Sequence, residues 1–192
     1  MNKRIIIVEG PDNCGKDTLI SNLVKTFDNP IVIHSVIPNI GIKTKAHLFD
    51  FYMNGLIHDT LDAYYDKVHD GIIHNRSMYG EFVYGPKYRG NLPSEIAGMI
   101  HKIEVGQLRT FIFSHELYFI LLTSSNAALL SNNDDGKSYS AEVADIEDEI
   151  NAFTTIFNLS SISNKKKVFV NDGDKFRDKK DILHEVLDFL NE

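Results

Sequence analysis

Nine consecutive residues carry the densest chemistry in the sequence: Gly10-Pro11-Asp12-Asn13-Cys14-Gly15-Lys16-Asp17-Thr18. They fit the pattern G-x-x-x-x-G-K, between a β-branched run, Arg4–Glu9, and a stretch with helical spacing. In that context loop N–H groups and a helix N-terminus cradle phosphate oxygens, and Lys16 reaches the β- and γ-phosphates of a nucleotide. Asn13, Cys14, Gly15, Lys16, Asp17 and Thr18 are the nucleotide contacts this pattern predicts. Position 17 usually offers a Ser or Thr hydroxyl to Mg²⁺, and here it is Asp. Thr18 has a hydroxyl, but one step along a helix turns it by ~100°. Asp17 either binds the metal, directly or through water, or complements the helix dipole. Asp17 and Glu9 are the carboxylates assigned to the metal. Cys14 lies inside the loop, so a thiol reagent is expected to block nucleotide binding unless the nucleotide protects it.

A second constellation is His74-Asn75-Arg76-Ser77-Met78-Tyr79-Gly80-Glu81-Phe82-Val83-Tyr84, followed by Gly85-Pro86-Lys87-Tyr88-Arg89. An arginine ending a parallel strand beside a phosphate loop can bridge acceptor and transferred phosphate and spread transition-state charge. Lys16 and Arg76 are therefore the catalytic cations expected. The bland alternative for Arg76 is a surface salt bridge.

Together the two motifs resemble the thymidylate kinase family, and more broadly the P-loop deoxynucleoside monophosphate kinases. Glu9, Gly10, Asp12, Gly15, Lys16 and Thr18 match that family's E-G-x-D-x-x-G-K-x-T. Arg76 and Tyr84 match its D-R-x-x-x-S-x-x-A-Y in register, while Asn75, Gly80 and Val83 depart from it. Gly15–Thr18 (GKDT), Gly80–Arg89 (GEFVYGPKYR) and Asp134-Asp135-Gly136 are similar to stretches of phage-encoded members. The resemblance implies ATP and Mg²⁺ as cofactors and a deoxynucleoside 5′-monophosphate, dTMP or a pyrimidine analogue, as acceptor. It also implies a cytoplasmic enzyme, often a homodimer. It gives Asp12 the acceptor's 3′-hydroxyl, Phe49 or Phe51 the stacking contact with the base, and Tyr84 the deoxyribose. The family's arginine after that aromatic has no counterpart in Phe51-Tyr52-Met53-Asn54, so the acceptor phosphate falls to Lys43, Lys45 or Arg89. Asn75 removes a carboxylate that helps position magnesium in the relatives, and Asp17 adds one, as if the charge had moved across the metal.

Similar enzymes close a lid over ATP, and the stretch 131–141 stands in its place, with Lys137 its one cation and no arginine. Asn133, Asp135, Gly136 and Glu142 also fall at calcium-loop offsets, but the first ligand position is Ser131, which weakens such a site. No H-E-x-x-H pair or Cys–His cluster points to zinc. Three other functions stay open. A deoxynucleoside kinase would fit Arg76-Ser77, but His34-Ser35-Val36-Ile37-Pro38-Asn39 supplies no carboxylate base for a 5′-hydroxyl. A kinase acting on nucleic acid would need a basic groove with stacking aromatics, and no Arg/Lys stripe is visible. A nucleotide-binding switch without catalysis is compatible with Asn75 and the arginine-poor lid.

The elements that must position these residues follow from the apolar spacing. Strands are expected at Arg4–Glu9, Ile31–Ile33, Gly71–His74, Leu117–Thr123 and Val168–Val170. Helices are expected at Lys16–Phe27, Ala46–Val68 (broken near Gly55), Pro93–Leu108, Glu142–Phe157 and Lys179–Leu190, with Lys165-Lys166-Lys167 a solvated turn. Strands alternating with helices predict an α/β fold of the P-loop NTPase kind: a central parallel sheet of about five strands, helices on both faces and a short lid. The 192 residues predict one kinase domain, 1–192, with the phosphate loop at 10–18, an acceptor region at about 35–90 and the lid at about 131–141. With 20 Lys plus Arg against 27 Asp plus Glu, a net charge of −7 argues against a protein that coats nucleic acid. One cysteine excludes an internal disulfide and fits a reducing compartment, and no apolar run reaches the ~20 residues of a membrane span. A small-molecule nucleotide is the expected partner.

Overall fold

The computed structural model describes residues 3–34, 57–66, 68–108, 117–134, 136 and 142–192. Five strands, β1 (Arg4–Glu9), β2 (Pro30–His34), β3 (Gly71–Asn75), β4 (Leu117–Thr123) and β5 (Asn164–Phe169), form one sheet. All its pairings are parallel and its order is β2-β3-β1-β4-β5. The helices are α1 (Lys16–Leu23), α2 (Asp59–Tyr65), α3 (Tyr79–Arg89), α4 (Pro93–Lys102), α5 (Ala127–Ser131), α6 (Val143–Leu159) and α7 (Lys179–Leu190). A small antiparallel ribbon, β6 (Asn171–Asp172) with β7 (Lys175–Phe176), follows β5.

Alternation along the buried strands divides the interior in two. Ile5, Ile7, Ile72, Phe119 and Leu121 pack with α3, α4 and α6, whereas Ile6, Val8, Ile73, Ile120 and Leu122 pack with α1, α5 and α7. β1 lies between β3 and β4, where the order of strands reverses, so the crevice for a ligand opens beyond its carboxyl end. Among the described residues no helix is long and apolar enough to cross a membrane.

β1, β4 and α7 have the predicted limits, and the other elements differ in instructive ways. The first helix leaves α geometry at Leu23 and tightens into a 3₁₀ turn, Val24–Thr26, before the chain turns into β2. α4 ends at Lys102 and continues as a π-helical segment, Ile103–Leu108. Of the helix predicted at Ala46–Val68, α2 stops at Tyr65, and residues 46–56 lie outside the described residues. α3 was not predicted as a helix at all. Gly80, Gly85 and Pro86 oppose it locally, but Tyr79, Val83 and Tyr84 bury one face, and left-handed Gly90 closes its end. β5 begins at Asn164, so Lys165-Lys166-Lys167 is strand and not a solvated turn. The ammonium groups lie over aromatic rings, Lys165 5.3 Å from the Phe157 centroid and Lys166 5.7 Å from that of Phe189, and the Lys165 ammonium also takes the α6 carbonyls of Phe157 and Asn158 and that of Ser160.

Two buried polar contacts fix helices to this frame. The His74 Nε2 meets Thr60 Oγ1 of α2 at 2.8 Å, and burial pushes the imidazole down to about 4, so it stays neutral at pH 7. Glu104, 3% exposed, accepts from Tyr79 Oη and Ser160 Oγ at 2.6 Å each and from Ser161 N and Oγ at 2.8 and 2.7 Å. Tyr79 itself stacks on Phe119 with centroids 4.3 Å apart. This carboxylate joins the start of α3 to the end of α6. Glu104→Ala leaves its buried donors unpaired and is expected to lower unfolding stability by roughly 3 kcal/mol or more. Val105→Ala, at an exposed neighbour, should stay within about 0.5 kcal/mol in the same urea titration.

Candidate functional site

The phosphate loop is held against β4 by a contact that only glycine permits. A Cβ on Gly10 would lie 2.2 Å from the Leu122 carbonyl oxygen and 2.9 Å from Cys14 Sγ. Asn13 and Gly15 take left-handed backbone (φ 63° and 82°), which bends the loop into the N-terminus of α1. Lys16 is 6% exposed, and its Nζ donates to the carbonyls of Gly10 (2.8 Å) and Pro11 (2.6 Å). The same ammonium lies 3.9 Å from Asp12.

Arg76 leaves β3 in a left-handed conformation (φ 67°), which costs a non-glycine residue about 1 kcal/mol. Its N–H still bonds the Val8 carbonyl at 3.2 Å, so the turn continues the sheet by one residue. The twist carries the guanidinium onto Asp12 Oδ1 and sets Ser77 against Glu9. Tyr84 of α3 joins this group: its hydroxyl reaches Glu149 of α6 at 3.4 Å. Burial, then the charges of Asp12 and Glu149, raise the phenol well above its usual range against the opposing pull of Arg76. Asp12, Arg76 and Tyr84, separated by up to 72 positions in the chain, thus form one cluster.

On the α1 side of β1 a second group assembles. The Asn75 Nδ2 donates to Asp17 Oδ1 at 2.8 Å and meets His34 Nδ1 at 3.3 Å. His34 and Asn75 are register partners at the ends of β2 and β3. Glu9 faces the other way, toward α3. Its Oε1 accepts from Ser77 N (2.6 Å) and Oγ (2.8 Å), and its buried Oε2 has no hydrogen-bond partner among the described residues. Burial pushes this carboxyl up to about 6 against the lowering effect of the Ser77 bonds. Among the described residues no three His, Cys, Asp or Glu side chains converge as a metal site.

Beside the loop lies a cleft of about 320 Å³ between α1, the start of α7 and the β6–β7 ribbon. Thr18, Asn22, Asn133, Phe176, Arg177 and Lys179 contribute to its walls. Its outer wall is braced by hydrogen bonds. The Asn171 side chain bonds Ser124 Oγ, Ser125 N and the Gly173 carbonyl, and Arg177 is held by the Phe169 carbonyl and Glu185. Phe176 and Arg177 carry no motif, and only their position after β5 could have marked them, whereas Asn133 belongs to the lid stretch already singled out.

The structure brings together Glu9, Asp12, Asn13, Cys14, Gly15, Lys16, Asp17, Thr18, Arg76 and Tyr84 around one crevice. Arg89 instead grips Glu81 of its own helix, with Nε and Nη2 at 2.9 and 2.5 Å, and Asn91 adds a third bond at 2.8 Å. Phe49, Phe51, Lys43, Lys45, Asp135 and Lys137 lie outside the described residues. Asn13 Nδ2 meets Asp134 at 3.4 Å, which ties the described part of the lid stretch to the loop. The expectation that Cys14 is open to thiol reagents is corrected: the residue is 2% exposed, and burial raises its thiol above the ordinary range despite nearby Lys16.

No family model matches the chain, and no curated protein matches it. Solved structures do. The YorR protein of Bacillus subtilis, solved with phosphorylated GDP, is 18% identical over 97% of this chain and 95% of its own, with a TM-score of 0.65. The thymidylate kinase of Candida albicans is 13% identical over 99% of this chain and 92% of its own, also at 0.65. The polyphosphate kinase 2 of Arthrobacter aurescens is 13% identical over 99% of this chain and 68% of its own, at 0.59. At these identities the shared property is the fold, the α/β architecture of P-loop nucleotide kinases.

Two measurements check this geometry. Asn75→Asp would set two carboxylates at hydrogen-bond distance, so it is expected to destabilise the protein, and Asp17→Ser in the same chain should relieve it. The coupling in a double-mutant cycle should be about 1–2 kcal/mol, and strictly additive effects would show that the contact carries no energy. Cys14 should react with a disulfide reagent roughly tenfold or more slowly in the native than in the urea-unfolded protein, whether or not nucleotide is present.

Proposed function

We propose that this chain transfers the γ-phosphoryl group of ATP to a deoxynucleoside 5′-monophosphate, dTMP or a close pyrimidine analogue. The observation that carries the reading is the cluster in which Arg76 of the β3–α3 turn grips Asp12 of the phosphate loop beside Tyr84. Arg76, the cation this reading assigns to the acceptor, is one ion pair away from the loop that would hold the donor. The cleft along α1 and the ribbon has room for part of the donor nucleoside. Because an acceptor phosphate is already anionic, the transfer needs positioning and neutralisation and no general base.

Each side chain then has a physical task. Lys16 exchanges the carbonyls of Gly10 and Pro11 for the β- and γ-phosphates. Asp12 turns from Arg76 to a sugar hydroxyl of the acceptor, which frees the guanidinium for phosphate oxygens. Tyr84, buried against Phe153 and Glu149, forms the floor beneath the sugar. A divalent cation fits the residues present. Asp17 offers an exposed carboxylate at the loop exit, and the buried Oδ1 of Asn75 has no hydrogen-bond partner among the described residues. When bound, the ion would neutralise charge on the β- and γ-oxygens. A homodimer and a cytoplasmic setting complete the proposal.

The experiment is a coupled ADP-release assay with ATP, Mg²⁺ and a panel of nucleosides, 5′-monophosphates and oligonucleotides. Turnover on dTMP and not on thymidine is expected, and the reverse would sink the reading. Arg76→Lys keeps the charge but loses the fork, so kcat should fall on the order of 10³-fold with little change in the KM for ATP.

A further inference from the structure

The loop exit has a donor set unlike the all-oxygen one that suits magnesium. Three elements meet there: α1 supplies Asp17, β3 supplies Asn75 and β2 supplies His34. One amide nitrogen, Asn75 Nδ2, spans a carboxylate oxygen at 2.8 Å and an imidazole nitrogen at 3.3 Å. A carboxylate can only accept, and a ring nitrogen receiving an N–H presents its lone pair. Two lone pairs from different elements therefore converge on the point that Nδ2 holds, each facing positive partial charge. The amide's other end is the odd part of the arrangement. Asn75 is 9% exposed, and its Oδ1 is buried with no hydrogen-bond partner among the described residues. Half a turn of the amide brings that oxygen to the convergence point and leaves a buried N–H where the oxygen was. The turn exchanges one unpaired buried atom for another, but it sets two acceptors and a carbonyl facing one another unless a cation lies between them.

We propose that Asp17, Asn75 and His34 hold a divalent transition-metal ion of the manganese or cobalt class in preference to magnesium. The chemistry rests on His34. Magnesium demands oxygen ligands and gives up water reluctantly, whereas an imidazole nitrogen suits the later first-row ions and is tolerated by manganese. Asp17 supplies the charge and Asn75 a neutral oxygen, so nitrogen tips the choice. The site deepens the proposed phosphoryl transfer, since it lies at the mouth of the same loop, but the protein can be tested for it without nucleotide or acceptor.

The probe is Mn²⁺ itself, added to the nucleotide-free protein and followed by loss of the free-ion electron paramagnetic resonance signal, with Mg²⁺ as competitor. One Mn²⁺ should bind per chain, and displacing it should take about tenfold or more higher Mg²⁺. His34→Ala should weaken Mn²⁺ by about tenfold while leaving Mg²⁺ nearly unchanged; His184→Ala, at an exposed histidine of α7, should change neither. His34→Asp replaces nitrogen by oxygen and should reverse the preference toward Mg²⁺. Co²⁺ should show ligand-field bands in the parent that His34→Ala abolishes. Thermal midpoints close to the parent's confirm that the variants fold. Equal affinity for Mn²⁺ and Mg²⁺ in the parent, or Mn²⁺ binding indifferent to His34→Ala, would overturn the proposal. The kinase reading fails separately: a chain that binds Mn²⁺ through His34 but turns over no nucleotide keeps the site and loses the reaction.

Discussion

Arg76 reaches Asp12 because the chain leaves β3 through a left-handed residue, and most of the site depends on that turn. A right-handed Arg76 would send its side chain elsewhere and carry Ser77 away from Glu9. The buried Glu9 carboxylate would then lose both its hydrogen bonds. The strain of about 1 kcal/mol is small beside the ion pair and the two charge-assisted bonds it permits. The pair also sets the angle at which α3 starts, and with it the place of Tyr84. Loop, turn and helix are thus one mechanical unit anchored at the carboxyl end of β1.

A chain of net charge −7 has few cations to spend on anionic ligands, and the fold commits several elsewhere. Arg89 neutralises Glu81, which is fully buried and without Arg89 and Asn91 would be a charge in the core. Gly85 makes room for that carboxylate, since a Cβ there would come 2.3 Å from its Oε1. Arg177 is tied to Glu185, and Lys165 closes the end of α6. Among the described residues Lys16 and Arg76 lie at the crevice, and in the proposed reaction each would exchange its present partner for phosphate oxygens.

How far the sequence disclosed this can be read from particular residues. β1 and β4 are buried on both faces, so each is a continuous apolar run with clear ends. The loop was legible because glycine and lysine spacing reflects backbone geometry directly. α3 was not, because its stabilisation is tertiary: Glu81 paired with Arg89, Tyr79 bonded to Glu104, and Tyr84 packed on Phe153 outweigh two glycines and a proline. The spacing misplaces β5 because its lysines read as solvated, whereas their ammonium groups sit over aromatic rings. The exchange between Asp17 and Asn75 was visible as two departures from a motif. His34 stood in no motif, and only the parallel register of β2 with β3 brings it to Asn75.

That register also explains why a carboxylate at 17 goes with an amide at 75. Asn75 is nearly buried, beside a strand that already ends in the buried Glu9, whose carboxyl is pushed up to about 6 by desolvation. A second ionised group at position 75 would meet the same desolvation and the field of the first. Placing the charge at Asp17, which is exposed, avoids both costs. An exposed carboxylate is better hydrated and more screened, so it holds a cation less firmly than a buried one. The loss must be offset by another ligand within reach, and His34 is the neighbour that the sheet supplies.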